Sequence, residues 1–290
     1  MPIDPQDLVL EIGSGHNPHP RADVLCDKHF ADDTERGGRL VVDRPLVIAD
    51  AEALPFRDGT FDYILCTHVL EHAQDIVQFI SELERVGRAG YIETPSEIGE
   101  RLYGWPYHRW LVNRVGDRLV LRPKVGESPF GVLFHRINAT DPDFARLHDR
   151  YHPLLLVRYE WEERIDFEVR EPEDAPIDLT DDVTVDSLLK GIAETSFSSR
   201  VRSWLGRRVP APWRERIRSW RARSRGARRI RPDLRDLLVC PRCHGSLEWR
   251  ENVIDCPRDG LTFPIRDGVP ILLLSEATRR GATSDTDAPQ

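Results

Sequence analysis

The chain has 290 residues, 40% of them apolar and 31% charged, which is enough apolar content for a buried core and excludes disorder throughout. No apolar run approaches the ~20 residues that span a bilayer, the opening Met1-Pro2-Ile3-Asp4 has no apolar export core, and five cysteines with three clustered near the end do not make a disulfide framework, so a cytoplasmic setting is expected. The net charge of −8 is uneven: Arg200 to Arg235 holds fourteen arginines against Glu215 and Asp233, so an acidic body carries one basic strap.

In chain order, Leu8 to Ile12 reads as a buried strand running into Gly13-Ser14-Gly15. Further short apolar runs follow at Val24–Cys26, Leu46–Ala49, Tyr63–Cys66 and Gly90–Glu93. The first three of these end at or near Asp27, Asp50 and His68, and the last leads into Thr94-Pro95-Ser96. Asp75 to Val86 carries Ile76, Phe79, Ile80 and Leu83 at helical spacing. Continuous apolar strands divided by loops and helices predict an α/β fold, a Rossmann-like, mostly parallel sheet covered on both faces. Trp110 to Leu121 reads as a hairpin turning at Gly116-Asp117, and Thr140-Asp141-Pro142 as the start of a helix to about Arg150. Leu154–Val157 and Ile165–Arg170 read as strands at the sheet edge, Asp186–Glu194 as a helix, and Leu234 to Leu274 as a small compact unit. After Ser275 the chain is small and polar and is expected to fray.

The chemistry concentrates at the strand ends. Glu11-x-Gly13-x-Gly15 directly after a strand allows a tight turn and close approach of backbone to a ligand. Asp27 ends the second strand, where an acid can bind ribose hydroxyls, and Asp50-Ala51 ends the third, where an acid can accept the amino group of adenine. These acids lie at the carboxyl ends of parallel strands, where open α/β sheets bind their ligands.

Four segments taken together carry a resemblance. They are Val9-Leu10-Glu11-Ile12-Gly13-Ser14-Gly15, Asp50-Ala51-Glu52-Ala53-Leu54-Pro55-Phe56, Asp58-Gly59-Thr60-Phe61-Asp62-Tyr63 and His68-Val69-Leu70-Glu71-His72. The run from Leu8 to Ser96 resembles a class I S-adenosylmethionine-dependent methyltransferase. The resemblance implies that Glu11, Gly13 and Gly15 meet the methionine end of S-adenosylmethionine, that Asp27 takes the ribose, that Asp50 and Ala51 take the adenine, and that His68 borders the sulfonium. One departure stands out: only His16 to Ala22, seven residues with two prolines, separate Gly15 from Asp23, where the family carries a helix. Asp32 or Asp33 is then an alternative ribose ligand. Glu71 and His72 open a helix and read as capping or solvent-facing residues, or as substrate contacts.

On the acceptor side, Tyr103 to Trp110 is dense in aromatics and polar tips. His108 is the candidate general base, with His135 and His152 as rivals. Methyl transfer is an in-line displacement in which the protein chiefly aligns the nucleophile. The position after the fourth strand reads Thr67-His68-Val69-Leu70 in place of an Asn/Asp-Pro-Pro-Tyr or Phe tetrapeptide, which disfavours a planar amide or base nitrogen as acceptor. A small molecule, saccharide or lipid-linked precursor is the expected acceptor, RNA or protein the alternative, and a non-catalytic binding protein on this fold the third reading.

Cys240-Pro241-Arg242-Cys243 followed by Cys256-Pro257-Arg258-Asp259 has the spacing of a zinc knuckle with aspartate as fourth ligand. Either zinc sits on Cys240, Cys243, Cys256 and Asp259, or the fold has lost its metal. The flanking Leu237–Gly245 and Phe263-Pro264-Ile265-Arg266-Asp267-Gly268-Val269-Pro270 resemble the small zinc-ribbon-like methyltransferase activators. That resemblance implies a module docking in cis on the methyltransferase domain. In the strap, Trp213, Ile217 and Trp220 share one helical face among arginines. Arg200 to Arg235 fits an anionic membrane surface, RNA phosphates or the acidic body of its own chain. A membrane contact would make the protein peripheral at the inner membrane face. The expected domains are 1–178 with an insertion at about 97–150, a helical arginine-rich linker at 179–233, the activator-like module at 234–274 and a disordered tail at 275–290.

Overall fold

A computed structural model describes residues 3–32, 38–173, 181–187, 189 and 232–279. The early apolar runs form β1 (Val9–Ile12), β2 (Val24–Asp27), β3 (Leu46–Ile48), β4 (Tyr63–Thr67) and β5 (Ala89–Pro95). Next come β6 (Trp110–Val115), β7 (Arg118–Pro123), β8 (Leu156–Glu162) and β9 (Phe167–Val169). The main sheet runs β3-β2-β1-β4-β5-β8, parallel throughout except for β8, which lies antiparallel on β5. The residues of β1, β2 and β3 are all buried, which explains why their sequences are continuously apolar rather than alternating.

Helix α1 (Ile76–Val86) forms where the apolar period predicts it, because Asp75 caps it by accepting from Val77 N and Gln78 N. It buries Ile76, Phe79, Ile80, Leu83 and Val86 on the sheet. Its Glu82, almost fully buried, accepts from Leu54 N at 2.6 Å. Arg85 donates to Glu82, Asp58 and the carbonyls of Leu54 and Phe56, so the helix clasps the loop after β3. The opposite face of the sheet is covered differently from the expectation. Among the described residues, its apolar clusters draw on Ile3, Phe30, Leu40 and on Val269 and Ile271 near the end of the chain, and on no helix.

The insertion holds α2 (Glu97–Tyr103), α3 (Gly131–Thr140), α4 (Pro142–Leu155) and the β6–β7 hairpin, which turns at Gly116-Asp117 as expected. Helix α4 runs past Arg150 to Leu155, and β8 starts at Leu156 and extends to Glu162. Seven residues of β8 pair with β5 and fill that sheet edge. The segment expected at Ile165–Arg170 therefore pairs elsewhere, as β9 parallel to β7 in a separate three-stranded sheet, β6-β7-β9.

The C-terminal module begins with one helical turn, Leu234–Leu237, followed by β10 (Glu248–Trp249), β11 (Val253–Cys256), β12 (Leu261–Arg266), β13 (Val269–Pro270) and β14 (Thr278–Arg279). Its sheet runs β10-β11-β12-β13, with β14 on β12, so regular structure continues past Ser275 where fraying is expected. The module is stitched to the first domain by backbone. Val239 N donates to Pro55 O (2.9 Å), Arg57 N to Leu237 O (3.2 Å) and Leu272 N to Ile48 O (2.7 Å), and Ile271 bridges Ile48 in parallel. One hydrophobic core runs through both parts, joining Phe56, Phe61 and Leu83 to Leu238, Ile254, Phe263 and Leu272.

The helix expected at 186–194 lies mostly outside the described residues, though residues 182–187 are helical, and the strap from Arg200 to Arg231 and the tail from 280 lie outside them entirely. No helix among the described residues is long and apolar enough to cross a membrane.

Candidate active site

The glycine loop follows β1 without a helix, as its two prolines require. Gly13 N and Ser14 N both donate to Cys26 O, which turns the chain back across the end of β2. Gly13 and Gly15 have φ of +70° and +51°, the left-handed region that glycine enters at no steric cost. A Cβ on Gly13 would lie 2.2 Å from Val69 Cγ2, so the glycine is required by packing as well as by its backbone angle. Ser14 Oγ is buried without a hydrogen-bond partner, a feature that asks for a ligand. Glu11 is 7% exposed and accepts from His19 N at 2.7 Å. Burial pushes its carboxyl up to about 7, against the lowering effect of the His19 amide and the Arg44 charge. A cation placed beside Glu11 would restore its ionised form, and the ammonium of a methionine moiety is such a cation.

Asp27 is buried at the end of β2 and holds the loop shut: its carboxylate accepts from Gly15 N (2.9 Å) and His29 N (3.0 Å). Asp50 accepts from Glu52 N (3.1 Å) and pairs with Lys28 Nζ at 2.7 Å. Lys28 is 44% exposed, so it can withdraw into solvent when a ligand takes the carboxylate. Ala51 is buried beside it. An open cavity of about 360 Å³ lies over these strand ends, lined by Lys28, His29, Asp50 and Glu52 and walled by Leu272 to Ser275 of the C-terminal module. Of the alternative ribose ligands, Asp32 is exposed and Asp33 lies outside the described residues. The loop, Asp27 and Asp50 thus fit a nucleoside-bearing cofactor such as S-adenosylmethionine.

At the same sheet edge, β4 ends at Thr67 and His68 takes φ +56°, with its imidazole 47% exposed. His68 Nδ1 lies 3.4 Å from Glu71 Oε1 and His68 Nε2 4.0 Å from Glu93 Oε1. Burial works against protonation of His68, but the hydrogen bond and charge of Glu71 outweigh it and raise its pKa. Glu71 is neither a cap nor solvent-facing. It is 1% exposed in a 3₁₀ turn, Leu70–His72, and its Oε2 accepts from Thr94 Oγ1 at 2.9 Å. Burial alone would raise its pKa; the hydrogen bond from His68 and the nearby histidines hold it below the usual carboxylate range.

His108 sits behind this pair, not at the surface. Its side chain is 5% exposed, with Nδ1 2.6 Å from Glu100 Oε2 and Nε2 4.0 Å from Glu71 Oε1. Glu100 also accepts from Lys124 Nζ (2.6 Å) and Trp105 N (3.1 Å). A second buried group lies alongside, Arg122 donating to Glu97, which also accepts from Asn113 Nδ2 at 2.6 Å. Glu100, Lys124 and Arg122 escape a sequence reading because the hairpin and α2 bring them together from distant positions. The aromatic run mostly packs the insertion: Trp105 stacks on His108 at 5.0 Å, and His135 meets the rings of Tyr103 and Trp105 at 5.1 and 5.2 Å. His152 lies beside His148 and Arg158, with its pKa lowered by burial and then by the Arg158 charge. Cys26 and Cys66 are buried in the strands as core residues.

The second cluster is in the module. Cys240, Cys243, Cys256 and Asp259 place one ligand atom each within 4.8 Å of the others. Cys243 Sγ and Cys256 Sγ are 3.6 Å apart, near the ~3.8 Å edge of a tetrahedron with Zn–S bonds of about 2.3 Å. The donor set fits zinc.

Two family descriptions match separate stretches of the chain. Residues 25–92 match the family described as methyltransferase domain, and residues 231–268 match the Trm112p-like protein family. The first match starts at Leu25, after the shortened crossing from β1. A UPF0434 protein of Nitrosospira multiformis is 54% identical over 50 residues, which cover 17% of this chain and 82% of that protein. A tetraacyldisaccharide 4'-kinase of Nitrosomonas europaea is 46% identical over 50 residues, 17% of this chain but only 13% of the kinase. Among solved structures, YcgJ of Bacillus subtilis overlaps at TM-score 0.29 and 20% identity, over 37% of this chain and 56% of that one. A complex between the Haloferax volcanii Trm112 methyltransferase activator and a methyltransferase overlaps at TM-score 0.28 and 17% identity, over 34% and 50%. The chain thus joins a stretch matching the methyltransferase domain family to a Trm112p-like module, and through that module it belongs to the UPF0434 family.

Proposed function

We propose that the protein transfers the methyl group of S-adenosylmethionine to a hydroxyl of a small molecule, saccharide or lipid-linked precursor. The observation that carries this reading is the parallel strand order β3-β2-β1-β4, which sets the glycine loop, Asp27, Asp50 and the exposed His68 backed by buried Glu71 along one carboxyl edge of the sheet. When bound, the cofactor supplies an electrophilic methyl on a sulfonium. Glu11 balances the ammonium, Asp27 holds the ribose, and Asp50 with Ala51 meets the adenine under the wall of Leu272 to Ser275. His68 Nε2 takes the acceptor's proton while Glu71 Oε1 holds the Nδ1 proton, the arrangement of a general base with its orienting carboxylate. His108, buried behind Glu71, is a positioning residue rather than the base. The Cys240–Asp259 knuckle holds zinc as a structural ion and keeps the module folded against the first domain.

Two observations bear on the acceptor. Thr67-His68-Val69-Leu70 offers no amide-clamping tetrapeptide, and the same module occurs in a chain named for phosphorylating an acylated disaccharide. The Trm112p-like match favours a second reading, an RNA or protein methyltransferase with its activator built in. Incubating the protein with labelled S-adenosylmethionine and cell extract divided into RNA, protein, lipid and small-molecule fractions decides between them. Label in the lipid or small-molecule fraction is expected. Label confined to RNA or protein transfers the assignment to the second reading, and label in none of the four overturns both.

A further inference from the structure

We propose that Glu71, His72 and His108 form a binding site for a divalent transition-metal ion beside the methyl-acceptor rim. One ligand atom from each of the three lies within 4.8 Å of the others. Two of the three are oriented toward that point by an outer partner. Glu71 commits Oε2 to Thr94 Oγ1 (2.9 Å), leaving Oε1 between His68 Nδ1 (3.4 Å) and His108 Nε2 (4.0 Å) in a residue only 1% exposed. His108 places Nδ1 2.6 Å from Glu100 Oε2, a carboxylate oxygen that accepts, so Nε2 is the nitrogen turned toward Glu71, 4.0 Å from its Oε1. A carboxylate behind a histidine is the arrangement that orients metal-binding imidazoles. Glu100 is itself fixed by Lys124, so the outer carboxylate is not free to swing into the site.

Two imidazoles and one carboxylate are a donor set suited to zinc and its first-row neighbours, and three protein ligands leave a coordination position open. His68 stands beside the cluster, with its Nδ1 3.4 Å from the same Glu71 oxygen. An acceptor oxygen bound there would have its proton acidified by the ion and removed by His68. The spread of up to 4.8 Å exceeds the ~3.4 Å edge of a tetrahedral shell with bonds of about 2.1 Å, so His72, the half-buried member stacked on Tyr107 at 5.4 Å, has to move inward. The inference goes beyond methyl transfer and stands or falls without it, because metal uptake is measured with no cofactor present.

The test is a Co²⁺ titration of the chelator-stripped full chain followed by absorption spectroscopy, which separates this site from the cysteine knuckle through the sulfur-to-cobalt charge-transfer band. One equivalent without thiolate character is expected. Its affinity should fall at least about tenfold in Glu71→Gln and in His72→Ala and stay unchanged in Cys243→Ser. His72→Ala is the variant least exposed to misfolding, and circular dichroism of each variant confirms the fold. Uptake that vanishes with Cys243→Ser, that is unaffected by both His72→Ala and Glu71→Gln, or that shows thiolate bands only overturns the proposal.

Discussion

Replacing Glu11 with glutamine isolates the one strongly perturbed carboxyl of the glycine loop. The fold raises its pKa from 4.5 to about 7 because burial penalises the charged form. Between those values the folded chain keeps a proton that the unfolded chain has lost. The contribution of Glu11 to stability is therefore fully present below about pH 4.5 and is lost as pH rises through about 7. The rise corresponds to about 3 kcal/mol in the limit, of which about 2–3 kcal/mol falls between pH 5 and pH 8. Glutamine keeps the oxygen that accepts from His19 N but cannot ionise. Urea unfolding of the parent and of Glu11→Gln at several pH values reads the difference, since every other group titrates alike in both. The parent should lose about 2–3 kcal/mol relative to the variant over that interval. Parallel profiles would refute the argument that burial governs this carboxyl.

Three further outcomes follow from the packing. Gly13→Ala drives a methyl group against Val69 at φ +70° and should cost about 1–3 kcal/mol, with Gly13→Ala/Val69→Ala recovering part of it in the same unfolding assay. Leu272→Ala, at a residue 1% exposed in the shared core, should cost about 2–5 kcal/mol and leave a single calorimetric transition; separate melting of the two parts would contradict the continuous core. If zinc occupies the knuckle, elemental analysis should find about one equivalent bound with thiolate character, and Cys243→Ser should remove it and lower the melting temperature.

The parallel sheet was legible because its strands are buried on both faces and read as continuous apolar runs; α1 was legible because Asp75 caps a clean 3.6-residue period. The positions of Asp27 and Asp50 at the ends of β2 and β3 were legible because where a strand ends is a local property. What the sequence hid was long-range. Glu71 lies in a three-residue 3₁₀ turn with no period to mark its burial, and its neighbours Thr94 and His108 arrive from β5 and from the loop before β6. Glu100 and Lys124 meet only because the β6–β7 hairpin folds back along α2. The partner of β9 depended on β8 having filled the edge of the main sheet, which no local signal in residues 165–170 records.

The most direct measurement is calorimetric titration of the full chain with S-adenosylmethionine. One site per chain is expected, with Asp50→Ala weaker by about 1–3 kcal/mol, the order for losing a buried hydrogen-bond partner. Absence of binding heat together with an unchanged melting temperature in excess S-adenosylmethionine would contradict the assignment of the strand ends as the cofactor site.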